Sequence, residues 1–454
     1  MRRPAIDKPD SYFSQRSEIT RNTARRSADS RQWSKNLEGN QMIKSKKWLA
    51  GSVAFALIAL LQTPLANAAI PHVSVVMPNQ WKDAFEPKIN AFNGSHTNVN
   101  IDVIWGGAQD QLIAANKSPD IINTGDLFVA AQKNLLVDLT PYIAKDKTIN
   151  VKDFYPALLN AVKFQGRQLA LPYRFNVGLL YYNKTLFDAG KVAYPTAKWT
   201  QKDFIAAGQK LTTKSGTTPT SWGVASTFGW WGEWLIHVRQ AGGEWLSDGA
   251  VALDSPQAIA GLTFFRDKVT KYKMSPGAKD DALGGFSGGK TAMEYGGHTG
   301  NWPSYNGVST LKWDIQVLPK GLKSSKGAEL ALEAWGVSAK SANIAAAYAA
   351  VAYITSADFL TTQWTALRLP VTRISVANAA LAVPKASRPS PQNLEALFGG
   401  ITTGMTLPRT IPFIKVTQEV VQPLVDKMIE GTLTPTETGN QATAAANKAL
   451  SILQ

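Results

Sequence analysis

Residues 166–200 read GRQLALPYRFNVGLLYYNKTLFDAGKVAYPTAKWT. The run Val177-Gly178-Leu179-Leu180-Tyr181-Tyr182 is apolar and β-prone, with no clean period-2 alternation. It reads as a strand covered on both faces, crossing between two lobes. A short helix and a Pro-rich loop follow. Trp199-Thr200-Gln201-Lys202-Asp203-Phe204 then places Thr at N-cap, Asp at N3 and apolar residues at N′ and N4. That pattern predicts a helix start with a capping box, Asp replacing the usual Glu, and a hydrophobic staple.

Outward from this stretch the chain alternates strands and helices. Ile70–Met77 is a first apolar strand, followed by a helix with Phe85, Ile89 and Phe92 on one side. Val99–Trp105 is a second strand, ending in Gly106-Gly107, and Pro119–Asn123 a third. Strand, helix, strand at this spacing predicts a βαβ architecture, in which ligands bind at the carboxyl ends of strands. Trp81, Trp105, Gly106 and Asp126 fall there. Further on, Ser221–Ser226 is a strand whose end carries Trp230 and Trp231. Ala258–Tyr272 is an amphipathic helix, Thr291–Tyr295 a short strand in a glycine-rich stretch, and Glu333–Ser338 a returning strand. Leu369–Arg373 is expected to be a last crossover, and Thr417–Leu453 two helical runs.

The lead-in Gly166-x-x-x-Ala170-x-Pro172-Tyr173, the strand end Leu180-Tyr181-Tyr182-Asn183-Lys184 and the turn Pro195-Thr196-x-x-Trp199-Thr200 are similar to the extracellular solute-binding proteins of ABC sugar importers, the maltose-binding-like family. Ala241-Gly242-Gly243-Glu244, Gly289-Lys290-Thr291-Ala292-Met293, Leu318-Pro319-x-Gly321 and Pro370-Val371-x-Arg373 extend the resemblance, in order, along nearly all of 70–453. It implies an α/β two-lobe periplasmic binding protein fold of the Venus-flytrap, class II type, with hinge crossovers. The expected division is 69–177 and 329–369 in one lobe, 178–328 and 370–454 in the other. Solute would be trapped between lobes and delivered to an ABC permease in the inner membrane, with no bond made or broken, so no enzyme is expected. Neither a cofactor nor a metal is expected, and a monomer is.

The ends and the composition fit export. Met42–Ala68 has a Lys-rich n-region, an apolar run too short to span a bilayer comfortably, and Ala66-Asn67-Ala68 as an A-x-A site, predicting a signal peptide cleaved after Ala68 and a periplasmic protein. Residues 1–41 are Arg-, Ser- and Asn-rich and are expected to be a disordered extension, or to lie upstream of a true start at Met42. The chain carries a net charge of +15, of which residues 1–68 hold seven, leaving +8. Without a Lys/Arg cluster this does not argue for nucleic acid. There is no cysteine, which excludes thiolate metal sites, thiol nucleophiles and an N-terminal lipidated Cys. None of the four His are paired at i, i+4.

Sugars need flat apolar faces against C–H patches and planar polar groups for hydroxyls. Of 14 Trp, Trp81, Trp105, Trp230, Trp231, Trp302 and Trp335 fall at expected strand ends. Any of them is equally well a core residue. For the Trp230-Trp231 pair one ring is expected to be exposed, because adjacent residues do not easily point the same way. Asp126 either accepts from hydroxyls or caps a helix. Arg174 and Arg373 either fork onto a ligand or fix the hinge through an acidic partner. Tyr173 and Gly297 complete the expected set, and Glu233 is either a polar ligand contact or, as the slightly favoured reading, a solvated helix-start carboxylate. Three rivals stand. Glu233 and Glu244 would have to be the carboxylate pair of a glycoside hydrolase. Tyr181-Tyr182 would have to ligate ferric ion, although alternation sends the two rings to opposite faces. A glycerol phosphate would use the two arginines.

Overall fold

A computed structural model describes residues 69–125, 127–225, 230–247, 249–277, 283–406 and 413–453. The expected signal peptide and the extension before it lie outside the described residues, as does Asp126. A compact unit spans Ala68–Gln454.

Among the described residues, nine of the strands carry the two main sheets: β1 His72–Met77, β2 Asn100–Trp105, β3 Ile121–Thr124, β4 Leu171–Val177, β5 Leu179–Asn183, β6 Thr218–Val224, β7 Thr291–Gly297, β8 Trp313–Gln316 and β9 Ala328–Val337. They form two separate sheets. In the first, β2, β1, β3 and β9 lie side by side, and β4 also pairs with β9. The first three are parallel, with His72 opposite Asn100 and Val75 opposite Ile121. β9 runs antiparallel to both β3 and β4. In the second sheet the order is β8, β5, β7, β6. The period-2 burial of β2 leaves one face to helix α1, Lys82–Ser95, which buries Phe85, Ile89 and Phe92 on one stripe.

The decisive stretch behaves as its composition dictates. β4 belongs to the first sheet and β5 to the second, with Gly178 alone between them. All five residues of β5 are buried, consistent with a strand covered on both faces. Gly178 donates its N–H to Glu329 O at 3.0 Å. A Cβ there would lie 3.3 Å from Gly296 O, a tight contact, so glycine suits the close approach of these segments. Helix α2, Gln201–Leu211, starts as expected, with the Asp203 carboxylate accepting both the N–H (2.8 Å) and the hydroxyl (2.7 Å) of Thr200.

The 369–373 segment departs from the expected crossover. Val371 bridges Arg174, Arg373 bridges Phe154, and the Thr372 hydroxyl donates to Pro172 O at 2.6 Å. The segment therefore stays beside the first sheet. Beyond it the chain reaches the second sheet at Gln392 and Asn393, whose N–H groups both donate to Asp314 Oδ1 at 2.9 Å. A second apolar cluster lies apart from the main core. Helices α3 (Trp231–Gln240) and α4 (Pro256–Thr270) bury Trp231, Trp234, Leu262 and Phe265 there, together with Phe413, Val425 and Met428 from the tail.

Candidate solute site at the crossing

Where β4 passes into β5 and β9 returns, polar side chains gather on an otherwise apolar frame. Alternation along β4 buries Tyr173, Phe175 and Val177 and leaves Arg174 and Asn176 half-buried on the other face. The register sets Glu333 opposite Arg174 and Ala331 opposite Asn176. Tyr173 donates its hydroxyl to Glu333 Oε2 at 2.5 Å and accepts from Asn123 Nδ2 at 3.1 Å. Arg174 Nη1 lies 3.3 Å from Glu333 Oε1. Tyr173 also stacks on Trp335, with ring centroids 4.8 Å apart, and meets Trp81 edge-on at 6.1 Å. The Glu333 carboxylate is thus held by two partners yet keeps about a fifth of its side chain exposed.

The second half of the cluster comes from the end of β7. Glu294 is buried and accepts from Tyr305 and from Asn301. Burial raises its carboxyl above the ordinary range, against the opposing effect of Tyr305 and of the nearby His298. His298 Nε2 lies 3.0 Å from Glu329 Oε2, at the start of β9. Thr299 donates its hydroxyl to Asn176, joining the β7 end to β4. Trp230 sits at the head of α3, half-buried, with its indole edge-on to His298 at 5.2 Å.

The expected site residues distribute unevenly. Tyr173, Arg174, Trp335 and Trp81 form one cluster on the first sheet. Trp230 and Gly297 lie at the end of β7, with Gly297 at a bulge opposite Leu179. Trp105 closes β2, half-buried, and Gly106 follows in the left-handed region with its N–H on Met77 O. Six of the expected side chains are buried in the fold: Tyr173, Trp335 and Trp81 of the first cluster, and three others. Trp231 packs on Phe413 at 5.4 Å, and Trp302 donates to the Tyr181 hydroxyl at 2.7 Å. Arg373 donates to Thr355 O (2.8 Å) and Asn150 O (2.9 Å), lies 3.6 Å from Asp153 and covers the Phe154 ring. Asn176, His298, Glu329 and Glu333 were not singled out from sequence. The sequence signal for such a residue is a polar side chain inside an apolar strand, as at Asn176 and Glu333.

The rivals meet specific geometry. Glu233 is not a solvated carboxylate: it is fully buried, bound by Lys268 Nζ and 3.6 Å from His237. Its proposed hydrolytic partner Glu244 is half-exposed and engages Arg239 at 3.3 Å. Tyr181 stacks on Trp313, whereas Tyr182 faces Phe187 and Tyr194, and burial pushes both phenols up, away from the phenolate a hard metal needs. Among the described residues, no group of three His, Asp or Glu is placed to hold a metal ion.

A family model for the bacterial extracellular solute-binding proteins matches residues 79–359. Among solved structures, the chain resembles the ABC substrate-binding protein Lmo0181 from Listeria monocytogenes in complex with cycloalternan. That likeness has a TM-score of 0.71 at 22% identity, over 84% of this chain and 99% of that one. It also resembles maltose-bound MalE3 of T. maritima (0.65, 20%, 84% and 100%) and UgpB from Mycobacterium tuberculosis in complex with glycerophosphocholine (0.70, 15%, 84% and 99%). These likenesses establish the two-lobe fold. With two sheets joined at a narrow crossing, polar side chains gathered there, and a family match over most of its length, the chain belongs to the bacterial extracellular solute-binding protein family.

Proposed function

We propose that this protein is the periplasmic receptor of an ABC importer and binds a neutral polyhydroxylated solute, a sugar, at the crossing between its lobes. The observation that carries the reading is the state of the two arginines. Arg174 is paired with Glu333, and Arg373 is spent on two backbone carbonyls and Asp153. A phosphate would need several donors converging on it, whereas Arg373 is buried and Arg174 stands against a carboxylate, with its Nε left without a hydrogen-bond partner. What the crossing offers is carboxylate and amide acceptors, at Glu333, Glu329 and Asn176, with the Trp230 indole beside His298. Such groups suit hydroxyls and sugar C–H faces.

The proposed cycle is closure. Solute engages groups of one lobe, contacts from the other are gained only on closing, and that difference in affinity shifts the population to the closed form. The rims of both lobes then present the solute to the permease. Thermal-shift measurements on the purified chain test this, with mono- and disaccharides, maltotetraose, polyols, glycerol 3-phosphate and glycerophosphocholine. A solute at 100 times its Kd adds about 2.7 kcal/mol to stability, an easily read shift. A shift with a neutral sugar supports the reading. A shift with phosphorylated solutes alone replaces it.

A further inference from the structure

Trp230 is the N-cap residue of α3, with extended backbone (φ −123°, ψ 118°), and its ring lies across Gly232, two residues on in the first turn of the helix. A Cβ added to Gly232 would overlap that ring. The three atoms it would meet first, Cζ2, Cε2 and Cη2, all belong to the Trp230 indole. Carbon pairs rest about 3.5–4.0 Å apart, so the ring would have to move by about 1 Å or more. Nothing else explains a glycine there. Its backbone is helical and outside the left-handed region, where Ala is preferred to Gly.

Neighbouring glycines have other reasons. On the next helix a Cβ at Gly261 would strike the Val238 backbone, so that glycine seats α4 against α3. Gly296, at the end of β7, also borders the indole, since a Cβ there would lie 3.9 Å from Cζ3. But it has φ 79°, and its Cβ would come 2.6 Å from Ile236 Cδ1. Only at Gly232 does the clash fall on a side chain that can yield. Trp230 is half-buried, bordered by Gly232, by Gly296 and by His298 edge-on at 5.2 Å, so the ring has solvent to move into. We propose that Gly232 is a positioning residue for solute binding. Its missing side chain is the seat that sets the Trp230 indole, and a Cβ there tips the ring away from the solute while leaving the lobe folded. A binding group displaced by more than about 0.5 Å loses its geometry. The proposal rests on the reading of Trp230 as the face against which a sugar packs.

The test is a double-mutant cycle with a solute-free arm. Maltotetraose is titrated calorimetrically into the unmodified chain, Gly232→Ala, Trp230→Ala and the double variant. Kd is expected to rise roughly tenfold in Gly232→Ala. The double variant should bind no more weakly than Trp230→Ala alone, because the two changes remove one contact. The thermal midpoint of Gly232→Ala should stay within about 2 °C of the unmodified chain, whereas a purely structural glycine would lower it by about 5 °C or more. In the solute-free arm the Trp230 emission is the difference between each chain and its Trp230→Ala counterpart. Its quenching by acrylamide should increase in Gly232→Ala. Native affinity in Gly232→Ala, a further loss in the double variant, a lowered midpoint, or unchanged quenching each overturns the proposal. If maltotetraose binds none of the four, the sugar reading is at fault, and the quenching arm decides whether Gly232 sets the indole.

Discussion

Arg373 shows how a residue type underdetermines its role. A guanidinium near an expected crossing reads equally well as a ligand fork or a structural clasp. Its two hydrogen bonds, to Asn150 O and Thr355 O, and its seat over Phe154 argue for the clasp. Burial draws its pKa down and Asp153 opposes that, but an arginine stays charged throughout. Arg373→Ala is expected to cost about 3 kcal/mol of stability, because it orphans two buried carbonyls and a carboxylate. Solute affinity of the folded fraction should stay within a factor of about two. Chemical denaturation and a binding titration on the same sample check this, and a large loss of affinity at unchanged stability returns Arg373 to the site. Trp231 and Trp302 belong to the same class of residue. The sequence marks them as aromatic and near strand ends, but whether a ring faces the cleft depends on neighbours such as Phe413 and Tyr181, more than a hundred residues away.

At the scale of elements, local chemistry was the most legible. The capping box at Thr200 and Asp203, the fully covered β5 and the α1 stripe all follow from residues within a few positions of each other. The path after Val371 was not legible, because Thr372 and Arg373 are held by Pro172, Asn150 and Thr355, which no local pattern announces. Glu233 belongs here too. Its contact with Lys268 ties α3 to α4 inside the second apolar cluster, and burial pulls the Lys268 ammonium down to about 7 in opposition to that pairing. The direct contact with the Glu233 carboxylate favours the ionised pair. Lys268→Met alone should destabilise by about 3–5 kcal/mol, since it strands a buried carboxylate. Glu233→Leu with Lys268→Met should recover most of that loss. A single variant as stable as the double one contradicts the pairing.

Asp120 links elements in a pH-dependent way. Burial pushes its carboxyl up, but hydrogen bonds from the Ser74 N–H and from the Ser74 and Ser341 hydroxyls outweigh this and hold it below the usual range. A folded-state pKa that is depressed contributes stability above the unfolded value, near 3.8, and loses it as the pH falls through the folded one. The thermal midpoint of the native chain should therefore fall more steeply below about pH 4 than that of Asp120→Asn. Parallel slopes would mean that these bonds do not favour the charged form.

For the whole molecule, the order of strands and the family landmarks make the two-lobe architecture legible in the sequence. The site was legible only in outline. Tyr173, Arg174, Trp230 and Trp335 were marked, but the acceptors Glu333, Glu329 and Asn176 became visible only once β4, β9 and the end of β7 were brought together. The proposed closure also belongs to this scale, since it would bring groups from both sheets together across Gly178. The central claim is that a neutral sugar binds at that crossing, against Trp230 and the carboxylate of Glu333. The most direct measurement is a calorimetric titration of maltotetraose, with glycerophosphocholine in parallel, into the unmodified chain, Trp230→Ala and Glu333→Gln. The account predicts saturable binding of the sugar alone, weakened roughly tenfold or more in each variant with the thermal midpoint of Trp230→Ala nearly unchanged. Binding of the phosphodiester alone, or sugar binding indifferent to both substitutions, would contradict it.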